Sequence, residues 1–106
     1  MREKRKIDLG EGYYAEVVEE KYNPLVNRKE ITLVIYHIGK GTPQRKIVRE
    51  KVATAYGVEI NRVYIRNILG EFGIGRSKAI VHIYDSVERA KMFEPPHVIR
   101  KNEGEQ

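Results

Sequence analysis

The sequence has no cysteine, which excludes a disulfide framework and any thiolate metal site. It has no long apolar run and no signal-peptide pattern, so the expectation is a soluble protein of the cytoplasm with no membrane partner. Its histidines, His37, His82 and His97, stand in unrelated contexts, with no i,i+4 pair and no metalloprotease motif. No serine sits in a nucleophile-elbow setting. Asp85 and Glu88 are close in sequence, but helix capping and dipole compensation account for both. Catalysis therefore has no candidate constellation, and neither a metal nor a cofactor is expected.

What is present is positive charge, unevenly placed. The 106 residues carry a formal net charge of +5. Residues 1–20 contribute −2, residues 21–84 contribute +8 and residues 85–106 contribute −1. The excess belongs to the middle of the chain rather than to a tail, which points to a polyanionic partner such as nucleic acid. A length of 106 residues suits one domain with one modest core.

Taken in order, residues 1–12 form a basic arm ending in glycines and are expected to be flexible. Alternation from Tyr13 to about Lys21 predicts a strand with Ala15 and Val17 on one face, broken at Asn23-Pro24. Ile31 to Tyr36 is apolar on both faces and predicts a central strand covered on both sides, antiparallel to the first. Thr42-Pro43 then opens a helix running to Tyr56, stopped by Gly57, with an apolar stripe of Val48, Val52, Ala55 and Tyr56. On its other side Arg45, Lys46 and Arg49 are expected to form a compact basic face.

The stretch from Val63 to Tyr84 predicts an antiparallel hairpin, its strands at 63–69 and 79–84 and its tip at 70–78. Gly70, Gly75, Arg76 and Ser77 imitate a nucleotide-binding loop, except that an arginine replaces the lysine. Such a loop must open a helix, and Ala79 to Tyr84 reads as strand, so a hairpin tip is the better reading. Asp85 or Ser86 can cap a short helix through Met92 or Phe93, ended by Pro95-Pro96. Val98 to Arg100 is expected to be extended, and residues 101–106 a polar tail. The expected fold is α+β, a four-stranded antiparallel sheet with two packed helices in the order strand-strand-helix-strand-strand-helix, in one domain over residues 13–100.

Arg76 to Tyr84 is loosely similar to the basic–aromatic strand of an RNA-recognition module. Ile80 and His82 stand where base-stacking aromatics would be, so base stacking is not expected from that strand. Backbone reading remains: Arg28, Arg45, Lys46, Arg49, Arg66, Arg76, Lys78 and Arg100 are the candidate phosphate contacts. Arg45, Lys46, Arg49, Arg76 and Lys78 are the primary set.

A family resemblance adds to this reading. Asn23-Pro24-Leu25 with Arg28, His37 with Gly39, and Thr42-Pro43-Gln44-Arg45 resemble the first half of the small-subunit ribosomal protein S-twenty-four-e family. Phe72-Gly73, Gly75-Arg76-Ser77, Ile83-Tyr84-Asp85-Ser86, Ala90-Lys91, Glu94-Pro95 and Arg100 resemble its second half. The resemblance runs from about Tyr22 to Arg100. Departures are Ile38, where the family usually has proline, and Ala79 and Val81, where it usually has glycine and alanine.

The family implies a non-enzymatic constituent of the small ribosomal subunit, seated on ribosomal RNA beside neighbouring subunit proteins, without a cofactor and monomeric when isolated. The lysine-rich C-terminal extension of eukaryotic members is missing, so an archaeal source is expected. A free-standing RNA-binding or chaperone module is the alternative from a second class, marked by weak binding to many RNAs. A small oligomeric enzyme is a third, and would need a pocket of convergent polar groups.

Overall fold

The structure, a computed structural model, describes residues 6–10, 12–37, 41, 44–71 and 75–103. Its elements in chain order are strands β1 (Lys6–Gly10), β2 (Tyr13–Asn23) and β3 (Arg28–Tyr36), and helix α1 (Arg45–Tyr56). A 3-10 turn at Ile60–Arg62 leads into strands β4 (Val63–Glu71) and β5 (Arg76–Tyr84), and helices α2 (Val87–Phe93) and α3 (Pro96–Glu103) follow. The strands form one five-stranded antiparallel sheet in the order β1-β2-β3-β5-β4. The expected four-stranded sheet with two helices is therefore corrected to five strands and three helices.

Both additions have a physical cause. Lys6–Gly10, expected in a flexible arm, alternates exposed Lys6 and Asp8 with buried Ile7 and Leu9, and so pays out two side chains to the core as an edge strand. α2 ends at Phe93 before Pro95-Pro96 as expected, but Val98 to Arg100, expected to be extended, belong to α3, which starts at Pro96. Proline at the first helical position lacks only an N–H that would have no partner there.

The main core lies between one sheet face and α1: Ala15, Val17, Ile31, Leu33, Ile35, Val63, Ile65, Ala79, Val81 and Ile83 meet Val48, Val52 and Ala53. On β3 only Ile31, Leu33 and Ile35 are buried. Thr32, Val34 and Tyr36 are half-buried, so the strand is covered on one face, not two. Gly57 stops α1 as expected, in the left-handed conformation (φ 64°), where a side chain would be strained. The buried side of α1 is Val48, Arg49, Val52 and Ala53, with Ala55 exposed, so the helix is turned relative to the predicted stripe. It begins at Arg45; Thr42 and Pro43, the expected cap, lie outside the described residues. Ser86 caps α2 as expected, accepting from the Arg89 N–H at 3.2 Å.

A second, smaller cluster joins Tyr64, Tyr84, Ala90 and Val98. It seats α3 beside β4, the sheet's edge strand. An unpaired strand edge presents backbone groups that need partners. Asn102 supplies them: its Oδ1 accepts from Ile65 N–H at 2.9 Å and its Nδ2 donates to Ile65 C=O at 3.0 Å. One side-chain amide thus stands in for a neighbouring strand. Arg49 completes the edge, donating from Nε to Val63 C=O at 2.6 Å and from Nη1 to Asn102 C=O at 3.3 Å.

Removing that amide leaves two buried backbone groups of β4 without partners. Asn102→Ala should lower the unfolding free energy by about 2–4 kcal/mol, read by urea denaturation with an unchanged m-value. A loss below about 0.5 kcal/mol would show that α3 does not hold the edge.

Candidate nucleic-acid interface

The hairpin tip is shorter than its glycines suggested. β4 reaches Glu71 and β5 begins at Arg76, so Arg76, Ser77 and Lys78 belong to a strand. Strand alternation then sorts them: Ser77 points inward, fully buried, with its Oγ 2.7 Å from His37 Nε2, while Arg76 and Lys78 share the opposite face. Gly75 is in a turn and a strand follows it, so the helix a nucleotide-binding loop requires is not there. Phe72 and Gly73 lie outside the described residues.

Topology brings α1's start to the same end of the sheet. β3 ends at Tyr36, paired with Arg76, and His37 N–H donates to Gly75 C=O at 2.8 Å. Tyr13 Oη donates to Gly41 C=O at 3.0 Å, tying the approach to α1 against β2. α1 then opens Arg45-Lys46-Ile47-Val48, a first turn with two cations and no acid. Gln44 precedes it, without a side-chain cap hydrogen bond among the described residues. Cations at the positive end of a helix dipole cost the isolated helix some stability. Cations and backbone N–H groups at a helix start suit a bound phosphate. Lys46 is exposed and Arg45 half-buried.

Arg49 does not join them. It is 6% exposed, its guanidinium stacked 4.9 Å from the Tyr64 ring centre and bonded to the β4 edge. Its charge serves the fold, and the expected three-cation face reduces to Arg45 and Lys46.

Arg28 lies at the other end of β3, eight positions from Tyr36 and so roughly 25 Å away at about 3.3 Å per residue. There it enters a partly buried network. Its Nε is 2.9 Å from Glu30, its Nη1 donates to Tyr84 Oη at 2.8 Å, and its guanidinium lies 5.6 Å from the Tyr84 ring. Tyr84 Oη in turn donates to Glu94 at 2.6 Å, and His82 Nδ1 lies 2.9 Å from the same carboxylate. A carboxylate only accepts, so Nδ1 carries the hydrogen. Arg66, the extra residue of a bulge in β4, and Arg100 on α3 are exposed beside the covered β4 edge. Arg45 and Lys46 thus lie toward the same end of the sheet as Arg76 and Lys78 but on its other face; Arg28, Arg49, Arg66 and Arg100 lie elsewhere.

One cation of the basic arm is not among the candidate contacts. Lys6 on β1 shares a row across the open sheet face with Glu16, Val34 and Lys78, and its Nζ lies 6.0 Å from the Tyr14 ring centre. Tyr14 stacks on Tyr36 at 4.8 Å beside it. The Ile7/Leu9 alternation was the available signal. Among the described residues no group of three or more His, Asp or Glu could hold a metal ion, and no helix is long and apolar enough to cross a membrane.

Residues 14–103 match the family model described as Ribosomal protein S24e. A protein of Ignicoccus hospitalis named small ribosomal subunit protein eS24 is 41% identical over 91 residues, covering 86% of this chain and 87% of that one. Proteins of the same name from Pyrobaculum aerophilum and Metallosphaera sedula are 39% and 33% identical. They cover 85% and 95% of this chain and 74% and 89% of their own.

The Glu94 network predicts an acid response. Burial pushes the Glu94 carboxyl up, but the hydrogen bonds from His82 and Tyr84 outweigh it and hold the group below its ordinary value. Glu30 is likewise held down, hydrogen bonds from Arg28 and Asn23 overcoming burial. A carboxyl depressed on folding contributes stability above its unfolded pKa of about 4.3, and that stability is lost as pH falls through the folded value. Thermal melting from pH 6 to pH 3 should show a steep fall for the native chain and a shallower one for Glu94→Gln; parallel curves would remove Glu94 from the account.

Proposed function

We infer from the ribosomal protein S24e family, to which this chain belongs, that it is a structural constituent of the small ribosomal subunit, acting in translation and not as an enzyme. Its place is the cytoplasmic ribosome, and its partners are small-subunit ribosomal RNA and neighbouring subunit proteins. The observation that carries the reading is the family match over residues 14–103.

In this proposal Arg45 and Lys46 at the start of α1, with Arg76 and Lys78 on β5, hold phosphates of folded RNA. Exposed Arg66 and Arg100 make outlying contacts. Arg28 and Arg49 are withdrawn from the interface, because ion pairing and edge bonding already use their donors. Contacts of this kind fix position and orientation on RNA by shape and phosphate pattern, with little sequence readout. The isolated chain is monomeric in this reading, and assembly comes from the RNA.

Each phosphate neutralised releases counterions, so binding weakens with salt in proportion to the number of contacts. The quadruple variant Arg45→Ala, Lys46→Ala, Arg76→Ala, Lys78→Ala should reduce the slope of log affinity against log salt by about three units on small-subunit ribosomal RNA. Its melting temperature should stay close to that of the native chain. A folded variant with the native slope would move the RNA face elsewhere.

A further inference from the structure

The end of the sheet opposite the cations has a different chemistry. The turn at residues 24–27 joins β2 to β3, and Leu25 at its tip is 87% exposed, more than any other large apolar side chain among the described residues. Water gains nothing from such a side chain, and a loop free to fold back would cover part of it.

This loop is braced instead. Leu25 N–H donates to Asn23 Oδ1 at 3.0 Å, and Asn23 Nδ2 donates to Glu30 at 3.2 Å. Asn27 takes the left-handed conformation (φ 54°), which asparagine tolerates better than most residues. Tyr22 Oη donates to Asp85 at 2.6 Å, and Asp85 N–H donates to Asn27 C=O at 3.0 Å. The tip is thereby fastened to the segment that leads into α2. Tyr22, 48% exposed, stands at its base, and α2 carries Met92, 70% exposed.

The charges around this tip are balanced. Arg28 is bonded to Glu30 and Tyr84, and Lys29 Nζ lies 3.5 Å from Glu20. Arg89 is close enough to act on the Tyr22 hydroxyl, but Asp85 acts on it too and with the opposite sign. The first turn of α1, by contrast, holds two cations and no acidic residue of its own. A phosphate backbone would find no excess positive charge, whereas an apolar pocket with a polar rim would find a rigid leucine beside a tyrosine. Tyrosine is enriched among the anchors of protein interfaces, and a preorganised loop loses little entropy on docking.

Resting on the small-subunit reading, we propose that the braced 23–27 tip, with Leu25 as its anchor, docks into an apolar pocket of a neighbouring protein of the subunit rather than onto RNA. The two ends of the sheet then divide the work, one holding RNA and the other a protein.

The test places a photoreactive benzophenone in the full chain, Leu25→p-benzoylphenylalanine in one sample and Lys46→p-benzoylphenylalanine in another, each assembled into small subunits and irradiated. The Leu25 label should give an adduct whose mobility nuclease leaves unchanged, and the Lys46 label an adduct that nuclease trims. A nuclease-sensitive adduct at Leu25, or none where the Lys46 label reacts, overturns the proposal. If the native chain does not sediment with the subunit, the ribosomal reading itself falls, and the proposal with it. Independently, Leu25→Asp should melt at the native temperature yet dissociate from subunits about tenfold more readily; native retention would contradict a docked leucine.

Discussion

The outer edge of β4 is the constraint on which much of this structure depends. Ile65 N–H, Ile65 C=O and Val63 C=O face away from the sheet, and leaving them buried without partners would cost about 1–3 kcal/mol each. Asn102 and Arg49 answer that demand. Asn102 can do so only if the chain after Pro95 turns into a helix, and Arg49 only if α1 presents that side to the sheet. One unpaired edge therefore fixes both the existence of α3 and the rotation of α1. With Arg49 turned inward, Lys46 remains the exposed cation of the first turn, and Arg45, one turn before Arg49, is half-buried.

The proposed division of function follows from how charge is used along β3. At its start, Arg28 is held by Glu30, Tyr84 and the buried Glu94, so a cation that looks available in the sequence is internally compensated. At its end, the chain passes through His37 to α1 while β5 returns beside it with Arg76 and Lys78 facing out. The fold thus concentrates positive charge by neutralising it elsewhere. Net charge by segment located the excess in the middle of the chain, but pairing decides which end displays it.

Much of this was legible in the sequence. The alternation in Tyr13–Val17, the Gly57 stop, the β4–β5 hairpin and the Ser86 cap each rest on local rules that tertiary packing did not overturn. β1 was missed because five residues beside two glycines carry too short an alternation to stand out from a frayed terminus. α3 was missed because Pro-Pro reads equally as the end of one helix and the start of the next. Arg49 was misplaced for a deeper reason: an arginine one residue off a valine stripe looks solvent-facing unless the sheet edge it will satisfy is already known. The bulge at Arg66 likewise depends on pairing with β5, which no local pattern reveals.

The central claim is that this chain is an integral part of the small ribosomal subunit, held by its basic end. Sedimentation of subunits from the source cell, before and after a high-salt wash, tests it most directly. The account predicts that the chain stays with the small subunit at about one copy each, because several phosphate contacts reinforced by a protein contact dissociate together or not at all. Loss in the wash, or sedimentation apart from the subunit, would contradict it and favour a module that visits RNA only transiently.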